Sequence, residues 1–81
     1  MARYYFGFIE RDGQRTRDEE GLEVLDDATA INHAREFARE LAGDFVKEGE
    51  LIDGQRIEII KNGRLVAAVY LRNEIRIAPI H

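Results

Sequence analysis

The sequence predicts an α+β domain, a two-layer β-β-α-β-β arrangement with one amphipathic helix packed on an antiparallel sheet. Three observations carry this. Residues 3–10 are aromatic and β-branched and alternate with a period of two. A central segment repeats its apolar residues at spacings of three and four. Asn62-Gly63 then separates two further alternating segments, the strongest short hairpin signal in the chain. Two hairpins flanking one helix bury their apolar surface most simply as a sheet with the helix on one face.

In the first strand Tyr4, Phe6 and Phe8 share one face, and Tyr5, Gly7 and Ile9 share the other. Asp12-Gly13 supplies residues that tolerate the positive φ of a hairpin turn. The partner, roughly Gln14 to Asp18, is polar and reads as a short edge strand. Residues 18–27 read as an acidic loop anchored by Leu22, Val24 and Leu25. Asp26 or Asp27 is placed to cap the helix, where a carboxylate accepts from free N–H groups and meets the positive end of the dipole.

The helix is expected from about Ala28 to Lys47, with Ile31, Ala34, Ala38, Leu41 and Phe45 as its buried stripe and Gly49 ending it. Asp53-Gly54 marks a turn before a strand from Arg56 to Lys61, with Ile57 and Ile59 on one face. After Asn62-Gly63, Leu65, Ala67, Val69 and Leu71 form one face of the last strand; Val66, Ala68 and Tyr70 form the other. Tyr4, Phe6, Phe8, Ile57, Ile59, Leu65 and Val69 should therefore meet the helix. Residues 1–72 form a single domain on this reading. Residues 73–81 are a C-terminal tail that adds a strand or contacts a partner.

Composition narrows the function classes. At 44% hydrophobic and 35% charged, the chain has the apolar content of a folded domain. It has no cysteine, which removes disulfides, thiolate metal sites and a cysteine nucleophile, and suits a cytoplasmic setting. The first residues lack the apolar stretch of a signal peptide, and no run of about 18 apolar residues is present to span a membrane. Net charge is −4, unevenly spread: +2 over residues 1–17, −9 over 18–55 and +3 over 56–81. The strands are mildly basic, whereas the loop and helix are acidic.

Catalytic constellations are missing. The chain has no serine, its threonines are Thr16 and Thr29, and no nucleophile is placed beside His33 or His81. An enzyme is therefore not expected, and His33 reads as a helix surface residue. The acidic loop lacks the spacing of a calcium loop and reads as a solvated approach to the helix. No cofactor or metal is expected. Tyr4, Tyr5, Phe6 and Phe8 beside arginines resemble a base-stacking platform, but core packing explains three of the four, and nucleic acid is not the expected partner.

One helix covers one sheet face. The other should carry Tyr5, Ile9, Ile60, Val66 and Tyr70, edged by Arg3, Arg56, Arg64 and Arg72. Tyrosine and arginine among aliphatic residues have the make-up of an interface core. The competing explanations are that the tail folds back over the patch, or that strand twist disperses it. The candidate interface is Tyr5, Ile9, Arg56, Ile60, Val66, Tyr70 and Arg72, with a protein partner or a second copy as occupant; a homodimer is the commonest form of such a contact.

The run Arg3-Tyr4-Tyr5-Phe6, then Arg11-Asp12-Gly13, then Asp18-Glu19-Glu20-Gly21-Leu22-Glu23, with Ala34-Arg35 in the helix and Gly54 to Ile59 after it, resembles a family of short uncharacterised proteins from rhizobia and related alphaproteobacteria. The resemblance implies a bacterial cytosolic protein and brings no catalytic residues. A second, slighter similarity is to antitoxins of the Hic type, which share the aromatic strand, the glycine hairpin and the acid-capped alanine-rich helix. This chain lacks their Pro-Gly-Cys segment and an added DNA-binding domain. The expected function is a small interaction or self-association module. The alternative is an antitoxin-like or nucleic-acid-binding regulator using Arg56, Arg64, Arg72 and Arg76.

Overall fold

The computed structural model describes residues 1–50 and 52–74. Its elements are β1 (Ala2–Ile9), β2 (Arg15–Thr16), β3 (Leu22–Val24), α1 (Asp27–Lys47), β4 (Arg56–Lys61), β5 (Arg64–Tyr70) and a short 3-10 helix, Leu71–Glu74. All strand pairs are antiparallel, in the order β2-β1-β4-β5, with β3 also on β1. The α+β architecture matches the expectation, with one added strand. Leu22 to Val24, expected as loop, pairs with Ala2 to Tyr4. The expected Gln14–Asp18 strand contracts to two residues.

These two differences share a cause. β2 pairs with Phe8 and Ile9, and β3 pairs with Ala2 to Tyr4, so the two lie end to end along one edge of β1. Asp18 fills the gap between them. One carboxylate oxygen accepts the Phe6 N–H at 3.2 Å; the other accepts Glu20 N–H at 3.2 Å and Gly21 N–H at 3.1 Å. Gly21 is held at φ +72°, and a Cβ there would stand 2.9 Å from the Tyr4 carbonyl oxygen, so this crossing requires glycine.

The helix ends follow the sequence signals. Asp26 caps it, accepting from Thr29 N–H at 2.8 Å and from the Thr29 hydroxyl at 2.6 Å. At the other end Gly49 has φ +75°, donating to Val46 at 3.0 Å while Glu50 donates to Phe45 at 2.9 Å. That pair of bonds is a Schellman stop.

The buried stripe is narrower in residue size than expected. Ala30, Ala34, Ala38 and Ala42 are buried against Tyr4, Ile57, Ile59, Val69 and Leu71. Ile31, Leu41 and Phe45 flank the contact, with Phe6 and Phe8 also half-buried. Two expected positions exchange roles in β5. Ile59 pairs with Ala67 but Ile60 pairs with Leu65, so Val66 is an extra, bulged residue. The bulge turns Val66 toward the core and leaves Leu65 58% exposed. Leu65 is therefore not a core residue, and a strict period of two across 65–71 fails at this point.

The 3-10 helix carries the chain past residue 72. Leu71 is buried and donates its N–H to the Gln55 carbonyl at 3.1 Å. Glu74, 8% exposed, accepts from Arg35 Nε at 3.2 Å and faces Arg39 Nη2 at 3.5 Å. The tail expected from residue 73 thus begins inside this helix. Residues 75–81, and the strand or partner contact expected of them, lie outside the described residues.

The bulge predicts an inverted ranking of two neighbours. Val66→Ala should destabilise by about 1 kcal/mol, the loss of buried methyl surface, whereas the larger Leu65→Ala should stay within about 0.5 kcal/mol. Urea denaturation of both variants checks this; a larger loss at Leu65 would contradict the bulge.

Candidate functional site

The sheet face away from α1 is built in rows. Arg15, Ile9, Arg56 and Tyr70 are in register across β2, β1, β4 and β5. The next row holds Gly7, Glu58 and Ala68, and the one after it Tyr5, Ile60 and Leu65. Glu58 organises the face. Arg15 Nη1 donates to one of its oxygens at 2.8 Å, and Arg56 Nε lies 3.3 Å from the other. The Arg56 guanidinium also stands 5.9 Å from the centre of the Tyr70 ring. The Glu58 side chain is 12% exposed, whereas that of Arg15 is 49% exposed, so the acid lies low and the base opens outward.

Five of the seven expected interface residues behave as surface. Tyr5, Arg56 and Ile60 are half-buried on this face, and Tyr70 is 39% exposed. Arg72 is exposed but sits in the 3-10 helix, 3.9 Å from Asp53. Ile9 is different: it is 1% exposed and stands apart from the helix-side core. It lies between Arg15 and Arg56, whose aliphatic stems suit such cover. Val66 packs against the core through the bulge, and Leu65 takes its place beside Ile60. Of the arginines proposed for phosphate contact, Arg76 lies outside the described residues.

Sequence reading missed Arg15, Glu58 and the hollow at Gly7. The period of two in Arg56-Ile57-Glu58-Ile59 already put Glu58 beside Arg56. That Gly7 lies opposite Glu58 needs the β1–β4 register, which no local signal carries. A hollow of about 300 Å³ opens there, walled by Tyr5, Arg15, Arg17, Glu58 and Ile60.

Four of the six acids of the 18–27 segment, Asp18, Glu23, Asp26 and Asp27, are committed elsewhere. Arg3 pairs with Glu23 at 3.0 Å. Asp27 accepts from the Tyr4 hydroxyl and from Lys61 Nζ, the latter at 3.0 Å. These bonds hold Asp27 below the usual carboxylate range and raise Lys61. The Asp27 bond, with burial, raises the Tyr4 phenol against the opposing pull of Lys61. Among the described residues no cluster of three or more His, Asp or Glu side chains could hold a metal ion. No described helix is long and apolar enough to cross a membrane. On the helix side His33 leans on Phe6, ring centres 5.3 Å apart, beside the half-exposed Phe37.

The profile of the family described as "Domain of unknown function (DUF6894)" matches residues 3–72, and the chain belongs to that family. No curated protein and no solved structure matches the chain.

Asp18 gives the edge a pH dependence. Burial pushes its carboxyl up, but the N–H bonds from Gly21, Phe6 and Glu20 together outweigh it and set the group below its ordinary 3.8. Its ionisation therefore adds stability above pH 3.8, and this is lost as pH falls through the lower folded value. Asp18→Asn should destabilise at neutral pH by about 1.5–3 kcal/mol, the range for hydrogen bonds to charged groups. Stability of the variant should fall less steeply below pH 4 in denaturation series; parallel acid limbs would remove Asp18 from that role.

Proposed function

We propose that the domain is a non-enzymatic protein-interaction module of a bacterial cytosol, with the uncovered sheet face as its contact surface. The observation that carries this reading is the one-sided cover of the sheet among the described residues. α1 and the 3-10 helix lie on one side, while Tyr5, Ile60, Leu65 and Tyr70 surround tethered arginines on the other. A concentration of tyrosine, aliphatic residues and arginine on a soluble domain favours a contact role. Self-association as a homodimer is one form of it. The bacterial setting rests on the resemblance to rhizobial and related alphaproteobacterial proteins.

The antitoxin-like or nucleic-acid-binding alternative has less support. Arg56 is committed to Glu58 and Tyr70, and the net charge of −4 opposes a polyanion. Tyr70→Asp should place a charge on the face without disturbing the fold. In that variant any rise of solution mass with concentration, or retention of a partner protein from lysate, should fall while circular dichroism is unchanged. Unaltered association would sink the sheet-face reading. Salt-labile retention of nucleic acid would favour the alternative, because phosphate contacts weaken steeply with salt.

A further inference from the structure

Gly7 has no conformational reason to be glycine. It lies inside β1, and the β1–β4 register runs through it unbroken, Phe6 to Ile59, Gly7 to Glu58, Phe8 to Ile57. Its φ is not among the positive ones of the chain. A Cβ there would meet only the Thr16 carbonyl oxygen, at an ordinary 3.7 Å. Glycine in a strand interior costs stability and often marks a bulge, a tight bend or the close approach of a ligand or another backbone, and the β1–β4 pairing has no bulge here. What the missing side chain provides is space, the hollow of about 300 Å³ on the uncovered face.

The walls of that hollow define what fits. Arg15 and Arg56 share Glu58, so two guanidiniums meet one carboxylate. A guanidinium has five donors and Glu58 engages one of those of Arg15, leaving the outward N–H groups of this half-exposed side chain free to donate. Arg17, at the rim, makes no hydrogen bond or ion pair within the described residues. Asp18, also at the rim, has both oxygens turned onto backbone N–H groups. The hollow itself is lined by two guanidiniums, Arg15 and Arg17, and two occupied carboxylates, Glu58 and Asp18; Arg56, one row outside, pairs with Glu58 and brings the surrounding network to three guanidiniums against two carboxylates. Tyr5 and Ile60 add an apolar wall.

We propose that this hollow receives a carboxylate side chain from an acidic, partly apolar segment of a partner protein, with Arg15 and Arg17 as its donors. The inference rests on the sheet-face reading and gives that face a partner chemistry. A single excess positive charge among apolar groups suits one carboxylate beside aliphatic residues. A nucleic-acid backbone asks for a run of cations clear of acids.

The test uses fluorescence polarisation with the full chain and three labelled probes: a decapeptide with Glu at alternate positions and Leu and Ser between, its Glu→Gln counterpart, and an oligothymidylate. The Glu peptide should bind, the Gln peptide should bind far less, and the oligonucleotide should not compete. Gly7→Val fills the hollow without changing charge, and Arg17→Gln removes a donor that supports nothing in the fold. Each should weaken the Glu peptide by about tenfold or more, the loss of a charge-assisted hydrogen bond. The melting temperature of Gly7→Val should be unchanged or higher, since a β-branched residue favours a strand.

No binding of the Glu peptide, equal binding of the Gln peptide, or wild-type affinity in Arg17→Gln would overturn the proposal. Preference for the oligonucleotide would overturn it in favour of nucleic acid. A concentration-dependent mass abolished by Gly7→Val would overturn the heterologous partner in favour of a second copy. If Tyr70→Asp still weakens association while Gly7→Val does not, the sheet-face reading survives and the hollow fails alone.

Discussion

The structure depends on how closely one helix can lie on one sheet. Ala30, Ala34, Ala38 and Ala42, each four residues from the next, place nothing larger than a methyl group at the centre of the contact. The sheet therefore supplies the bulk, through Tyr4, Ile57, Ile59, Val69 and Leu71. A longer side chain at any of the four would lift the helix and open voids along both flanks, where Ile31, Leu41 and Phe45 close the core. The helix N-terminus is fixed at the same time. Asp27 in its first turn takes both the Tyr4 hydroxyl from β1 and Lys61 from β4, so the helix start is tied to two adjacent strands.

The second dependence is at the β1 edge. Among the described residues no full-length strand pairs with the second edge of β1. β1 is instead completed by two fragments and a carboxylate, with Asp18 standing where a strand carbonyl would accept Phe6 N–H. This gives four of the six acids in the stretch a structural role. Asp18 completes an edge, Asp26 caps the helix, Asp27 anchors it, and Glu23 pairs across to Arg3.

Much of this was legible in the sequence because it is local. Hairpin chemistry at Asn62-Gly63, with both residues at positive φ, the Asp26 cap and the Gly49 stop each depend on a few neighbouring residues. β3 was not legible because Leu22-Glu23-Val24 is too short to show a period, and its strand character comes from pairing with Ala2 to Tyr4. The exchange of Leu65 and Val66 was not legible either. A bulge shifts the period by one residue and announces itself only through the partner register. The alanine stripe was half legible, since larger residues at helical spacing drew the stripe to one side of its true centre. For the site, the face and its Tyr5, Ile60 and Tyr70 were readable from alternation. The Arg15–Glu58–Arg56 network was not, because it joins three strands.

The two edges and the uncovered face differ in a way that bears on where a partner can bind. One edge consists of short strands bearing Arg15 and Glu23, sealed by Asp18. The other, β5, is bulged at Val66 and runs directly into the 3-10 helix. Short charged strands and bulges are the devices by which sheets avoid pairing with other chains. Both edges are thus poor templates for strand addition. The face has the opposite character: Glu58 is covered by two bases, Tyr70 is exposed, and its central strand omits a side chain at Gly7. A fold that defends its edges and, among the described residues, leaves this face uncovered would direct the proposed association to side chains rather than to backbone. Recognition by side-chain charge and shape, with the Glu58 pair holding the arginines in place, is the mode this arrangement favours.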